Sequence, residues 1–257
     1  MINIDKYAYS SKLKKINPME KFVFAILTLA VCLFADRLPV SIAVFLIMGA
    51  ATLKFSGTPK KVYFKLLLVP MTFLIIGVLT ITINFSKDQS MFLFSVHIFN
   101  TFIGVSKYGL YKALGLFFKV LGSVSCLYFL SLSTPMVDIL SVLEKLKVPK
   151  LMIEMMGLVY KFIFILLDTA DTMFTAQNSR LGYVNLKSGY RSLGALTSTL
   201  FIRSFKRAND LYISLESRGY YGELTVLQEP YKKSGKIYIA AIVINVILIV
   251  IAFMLKY

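Results

Sequence analysis

Little in this chain can carry out chemistry by itself. It has one histidine, His97, with no cysteine or second histidine close by in the sequence, so no metal site of its own is expected. Its two cysteines, Cys32 and Cys126, both lie inside apolar runs. A thiol in such a place reads as a small hydrophobe rather than half of a disulfide or a metal ligand. GxSxG, HExxH and Walker A patterns are missing, and with them the local signatures of hydrolases, zinc proteases and nucleotide binders. No cofactor is therefore expected on this chain, and ATP, if used, must be held by a partner. Acid is scarce as well: 13 Asp and Glu against 29 Lys and Arg, a net charge of +16. In a soluble protein that balance would suggest nucleic acid. Here no groove-reading motif accompanies it, and the lysines flank apolar runs, so nucleic acid is not an expected partner.

What the chain has in excess is apolar sequence in long runs. Hydrophobic residues make up 57% and charged residues 16%, where a soluble domain has about 25% charged. The reading is an all-α integral membrane protein with about five apolar membrane helices and a cytoplasmic or interfacial helical domain. The first four membrane helices are expected near 22–35, 40–53, 66–83 and 108–132, and the fifth over Ile237–Leu255. Asn17-Pro18 is a helix-start signal for the first. The first two runs fall short of the ~20 residues an ordinary span needs. They read as a closely paired hairpin about an Asp36-Arg37-Leu38-Pro39 turn, with Lys21 and Lys54 snorkelling at the flanks. Residues 84–106 are mixed: Lys87-Asp88 marks a turn, Phe92–Val105 alternates loosely, and the segment reads as re-entrant or extended.

The domains expected are 1–133 in the membrane, 134–222 as the polar helical block, and 223–257 as linker and last membrane helix. Lys and Arg crowd the segment before Phe22, the 54–65 loop and the 134–235 block. Positive charge is retained on the cytoplasmic side. The N-terminus and residues 134–235 are therefore expected in the cytoplasm, with the C-terminus outside.

The 134–222 block reads as three helices. Thr134-Pro135 is a start signal, threonine as cap and proline at the first helical position. Val148-Pro149 ends that first helix. In the second, Glu154, Lys161, Asp168 and Thr175 recur every seven residues, a thin polar seam on an otherwise apolar helix. The third is expected from about Tyr190 to Ser217, with Arg203 and Arg207 in its polar middle. The second and third helices both end in a serine–arginine pair: Ser179-Arg180-Leu181 and Ser217-Arg218-Gly219. One arginine at a helix C-terminus is an ordinary dipole partner. Two such ends in one cytoplasmic block read as docking points, because the planar guanidinium fork suits carboxylates and carbonyls on another protein.

Those residues carry a resemblance to a family. Ala176-Gln177-Asn178-Ser179-Arg180-Leu181-Gly182-Tyr183 and Ser214-Leu215-Glu216-Ser217-Arg218-Gly219-Tyr220 are similar to the two Ala-Arg-Gly signatures of the transmembrane T component of energy-coupling factor (ECF) transporters. The likeness is greatest to its CbiQ branch. Ile4-Asp5-Lys6 through Asn17-Pro18 to Lys21, Thr134-Pro135 with Val148-Pro149, and Phe201-Ile202-Arg203-Ser204 with Arg207-Ala208 resemble the same family. Leu181 stands where the family usually has glycine, and Ser179 and Ser217 where it usually has alanine.

The resemblance implies a coupling subunit of a multi-pass importer in a prokaryotic cell membrane, for cobalt or nickel. It implies an ATP-binding-cassette ATPase dimer docked at Ser179, Arg180, Leu181, Ser217, Arg218 and Gly219. Thr134, Pro135, Pro149, Arg203 and Arg207 would support the coupling helices, and a separate membrane subunit would bind the metal. ATP would sit on the ATPases. Two other readings stand beside it. One is a secondary transporter using Lys112, Lys119 and the polar seam; the other is an intramembrane enzyme using Asp168 or Asp171.

Overall fold

A computed structural model of the protein describes residues 4–35, 37–86, 92–98, 101–220, 231 and 235–254. Asp36, the Lys87-Asp88 turn, Tyr221-Gly222 and most of the 223–235 linker lie outside the described residues. The chain divides into two units: Met1–Val142 with Pro230–Tyr257, and Leu143–Glu229.

The first unit begins with a short helix, α1 (Ile4–Tyr9), and then holds the five segments long and apolar enough to cross a membrane. α2 (Pro18–Ala35) is longer than its apolar run, and α3 (Leu38–Ala50) exceeds its own together with the turn that follows it. α2 takes in the polar turn Pro18–Lys21, and α3 continues through a π-helical turn, Ala51–Phe55. That extension brings each to the length of a span. Lys54 is exposed as snorkelling requires, but Lys21 is not: it is wholly buried. Its ammonium donates to the carbonyls of Leu13 (3.2 Å) and Ser133 (3.1 Å), so it caps backbone ends instead of reaching for water.

α4 (Lys60–Thr82) carries Pro70 in its interior. Proline has no N–H to give to the carbonyl four residues back. The Tyr128 hydroxyl, on α5 (Lys107–Ser133), donates to that Leu66 carbonyl at 3.0 Å, so the group freed by proline is paired across helices. This is how a proline is tolerated in a span. Between α4 and α5 lie three antiparallel strands, β1 (Ile83–Ser86), β2 (Phe92–Ile98) and β3 (Thr101–Ser106), ordered β1-β3-β2. They are the one departure from an all-helical chain among the described residues. Among the described residues of 84–106, the loose alternation belongs to extended backbone.

Two buried clusters hold this unit. Phe24, Cys32, Val40, Val44, Met48 and Phe129 anchor one, with Phe24 edge-on to Phe129 at 5.5 Å. Tyr63, Leu66, Leu74, Leu121 and Leu132 anchor the other. Lipid is as apolar as leucine, so packing and polar contacts have to select the arrangement. The Tyr63 hydroxyl meets Ser125 Oγ at 3.0 Å. Asn245 of α9 (Lys236–Met254) donates to Thr28 of α2 at 3.3 Å. Each such interhelical bond is worth about 0.6 kcal/mol.

α6 (Met136–Lys145) crosses from the first unit into the second. The second unit then consists chiefly of α7 (Lys150–Ser179) and α8 (Leu186–Ser217), which pack on each other. Neither has a single buried residue. α8 starts ahead of the expected Tyr190 because Asn185 caps it, its Oδ1 accepting the Ser188 N–H at 2.8 Å. Met155, Val159, Ile163, Phe201, Phe205 and Ile213 are exposed apolar residues on this pair.

Candidate functional site

The two arginines occupy equivalent positions on the two long helices. Ser179 is the last residue of α7 and Arg180 its C-cap; Ser217 is the last residue of α8 and Arg218 its C-cap. After Arg180, Leu181 turns left-handed at φ +61°; after Arg218, Gly219 does so at φ +73°.

The hydrogen bonds match as well. At the first end, Gly182 N–H donates to the Gln177 carbonyl (2.9 Å) and Leu181 N–H to Asn178 (3.0 Å). At the second, Tyr220 N–H donates to Leu215 (3.0 Å) and Gly219 N–H to Glu216 (3.0 Å). These are the 6→1 and 5→2 bonds of a Schellman motif, which satisfies carbonyls a helix end would otherwise leave open. α6 ends in the same way: Val148 N–H bonds to Leu143, Lys147 N–H to Glu144, and Lys147 lies at φ +62°.

The serines preceding the arginines turn inward. Ser179 Oγ donates to the Thr175 carbonyl and Ser217 Oγ to the Ser214 carbonyl, both at 3.0 Å. A hydroxyl spent on its own helix leaves the outer surface much as alanine would. Both arginines are exposed, and so is Leu181, at 71%.

The first end is built into a tight corner between α7 and α8. The Gly182 carbonyl accepts from Ser188 Oγ (2.9 Å) and Ser192 Oγ (2.8 Å). Gln177 Nε2 donates to the Ser192 carbonyl (3.2 Å), and its Oε1 accepts from the Tyr183 hydroxyl (2.7 Å). Tyr183 also stacks at a tilt on Phe174, with ring centroids 4.7 Å apart. A Cβ on Gly182 would lie 2.7 Å from Ser192 Oγ and 2.8 Å from the Gln177 carbonyl oxygen, so only glycine fits. At the second end the Tyr220 hydroxyl donates to Glu154 Oε2 at 2.6 Å. That bond keeps the phenol's proton and raises its pKa above the ordinary value.

The supporting residues fall elsewhere. Arg203 and Arg207 line an open cleft of about 290 Å³ with Ile165, Asp168, Thr169 and Thr172, about three turns up α8 from Arg218. Asp168, a residue of the polar seam, therefore sits across from two arginines in a charged cleft. Pro135 and Pro149 each stand just before a helix and offer it their carbonyls: Ile139 N–H bonds to Pro135 and Met152 N–H to Pro149. Thr134 does not cap α6 as its sequence position suggests. Its N–H closes α5 on Leu130, and its hydroxyl pairs with Ser133 Oγ at 3.3 Å.

Sequence reasoning missed three features of this site. Asn185 was a visible cap signal in front of α8. Gly182 was visible only as a glycine two residues after an arginine. The left-handed turn at Leu181 had no signal in the residue itself, since leucine seldom adopts it; the hint lay in the glycine usual at that position of the resembling family.

Comparison with known proteins follows the same lines. Residues 9–229 match the family described as CbiQ, cobalt transport protein. The chain is 35% identical to an uncharacterized protein of Methanocaldococcus jannaschii, over 98% of this chain and 93% of that one. It is 30% identical to the cobalt transport protein CbiQ of Salmonella typhimurium, over 87% of this chain and 99% of that protein. It is 29% identical to the energy-coupling factor transporter transmembrane protein EcfT of Lactococcus lactis, over 74% of each.

Proposed function

The chain belongs to the CbiQ family of cobalt transport proteins, the transmembrane component of ECF transporters, and we propose that it couples ATP hydrolysis on partner subunits to cobalt uptake. Two ATP-binding-cassette subunits dock on the Arg180 and Arg218 ends. A separate membrane subunit binds the metal. The N-terminus and residues 134–235 face the cytoplasm, where the ATPases are, and the positive charge of those segments supports that placement. This chain supplies no nucleotide site and no metal site in this scheme; it carries motion.

One observation carries the reading. Two long helices with no fully buried residue end in the same exposed C-cap, each presenting an arginine. A lone protein gains nothing from repeating that end. A dimeric partner, with two equivalent grooves, does. The exposed apolar residues of α7 and α8 fit the same scheme, since such a surface needs a partner or lipid.

The test is co-expression with an ABC-type ATPase pair and a substrate-binding membrane subunit encoded beside this chain. Affinity capture of the chain should bring the ATPases with it, and vesicles holding the complex should accumulate cobalt only with ATP. A cysteine at Ser188 should react with an impermeant reagent only from the cytoplasmic side. A chain that runs alone despite co-expressed ATPases, or external labelling at Ser188, would count against the reading.

A further inference from the structure

We propose that Glu20, Lys21, Asp138 and Tyr231 form a positioning group through which movement of the coupling helices reaches the spanning helices. The inference rests on the coupling role assigned above.

The chain passes between its two units at only two places, Val142–Leu143 and Glu229–Pro230. Asp138 stands just before the first crossing and Tyr231 just after the second. The Tyr231 hydroxyl donates to Asp138 Oδ1 at 2.6 Å. The two segments that lead to the coupling helices are thus tied together on the membrane unit's side.

The first turn of α2 bonds to the chain just before Asp138 and just after Tyr231. Lys21 is fully buried, donates to the carbonyls of Leu13 and Ser133, and feels the charge of Asp138. Ser133 is the last residue of α5. Glu20, 1% exposed, accepts from the Gly235 N–H at 3.4 Å, immediately before α9. The first turn of α2 therefore holds the end of α5 and the approach to α9, which flank the Asp138–Tyr231 tie along the chain.

Three buried charges are a poor way to gain stability. Desolvating each costs several kcal/mol, and apolar residues of similar volume often do as well. What charged and hydrogen-bonded groups add is direction: they resist displacement along particular lines. The group also has capacity in reserve. Asp138 Oδ2 is buried and accepts no hydrogen bond among the described residues. An ammonium has three donors, and two of Lys21's are on the carbonyls. As α6 shifts, Lys21 can take up Asp138 without leaving the junction, so the tie holds through a movement rather than breaking.

The experiment uses the whole complex in proteoliposomes, reading ATPase capture, ATP hydrolysis and cobalt uptake on the same preparation. Tyr231→Phe, Asp138→Asn and Lys21→Met should retain the ATPases and hydrolyse ATP, while cobalt accumulated per ATP falls about fivefold or more. Tyr231→Phe, which removes one hydroxyl, decides the matter if the charge variants fail to accumulate. Uptake per ATP at the wild-type level in Tyr231→Phe and Asp138→Asn overturns the proposal. So does a loss of uptake that only follows the amount of protein, which is what a merely structural role would give. If the wild-type chain captures no ATPase, it is the coupling role itself that fails, before any variant is read.

Discussion

The ends of α7 and α8 share a backbone and differ in how they are held. At Arg180 the left-handed position is leucine and the next residue is a glycine locked under Ser188 and Ser192. At Arg218 the left-handed position is glycine, and the next residue is a tyrosine whose hydroxyl bonds to Glu154. The first end is rigid in its surroundings but strained at Leu181. The second is relaxed in its backbone but lightly fastened. The same presentation of an arginine is thus reached by two routes, which indicates that the presentation is what matters.

The strongest way to break that equivalence is to reverse the charges. Arg180→Glu and Arg218→Glu should each abolish uptake, because a like charge or unpaired acid in a docking groove costs several kcal/mol. Each single reversal should leave some ATPase bound through the other end, and the double variant should capture none. Arg→Lys should be milder yet harmful, since a point charge cannot reproduce the fork. The check is ATPase capture and transport on the same vesicles. Wild-type values in both reversals would reduce the arginines to helix-end charges.

The next largest effect separates the two corners. Gly182→Ala forces a Cβ to within 2.8 Å of a backbone oxygen, and overpacking of that kind costs about 1–3 kcal/mol. It should loosen the α7–α8 corner and lower ATPase capture at the first end. Tyr220→Ala, at the corresponding position of the second end, removes a side-chain tie but makes no clash. Limited proteolysis across 180–190 should distinguish them: faster cutting in Gly182→Ala, and none in Tyr220→Ala.

Exchanging the left-handed residues sharpens the comparison further. A non-glycine residue in that conformation costs about 1 kcal/mol or more. Leu181→Gly should stabilise the first end by about that much, less the added freedom of the unfolded glycine. Gly219→Leu should destabilise the second by a similar amount. Thermal unfolding of the purified chain should move by about 2–4 °C in opposite directions. A loss of coupling in Leu181→Gly despite higher stability would show that the leucine side chain itself meets the partner.

How much of this was legible beforehand depends on what produces each feature. The five spans follow from apolar runs, and the helix ends at Arg180 and Arg218 from composition at their termini. The polar residues Pro18 to Lys21 were harder: a lysine flanking a run reads as snorkelling, and only the fold brings the Leu13 and Ser133 carbonyls to it. The start of α8 was misjudged because Asn185 lies within a polar connection where any of several residues could cap. Thr134 shows the opposite case. Its sequence is that of a cap, but α5 claims its N–H and Ser133 its hydroxyl. Local signals place elements well; long-range hydrogen bonds decide which of two local roles a residue takes.

The smallest expected effect concerns the Tyr220–Glu154 tie of the second end. Tyr220 donates its proton to Glu154, and that bond raises its pKa. A phenol whose folded pKa lies above its unfolded value, about 10, favours the folded state while it stays protonated. The contribution is therefore complete below about pH 10 and is lost as pH rises through the folded pKa. Above that range a phenolate would face the Glu154 carboxylate, and the tie would turn into repulsion. Hydrogen exchange at the end of α8 should accelerate as pH rises above about 10, beyond the intrinsic base dependence of exchange. Tyr220→Phe should remove that excess, leaving a small constant loosening at every pH, and the Arg180 end should show no such step. If wild type and Tyr220→Phe follow the same curve, the Tyr220–Glu154 bond does not hold the second end, and its equivalence to the first rests on the Schellman turn alone.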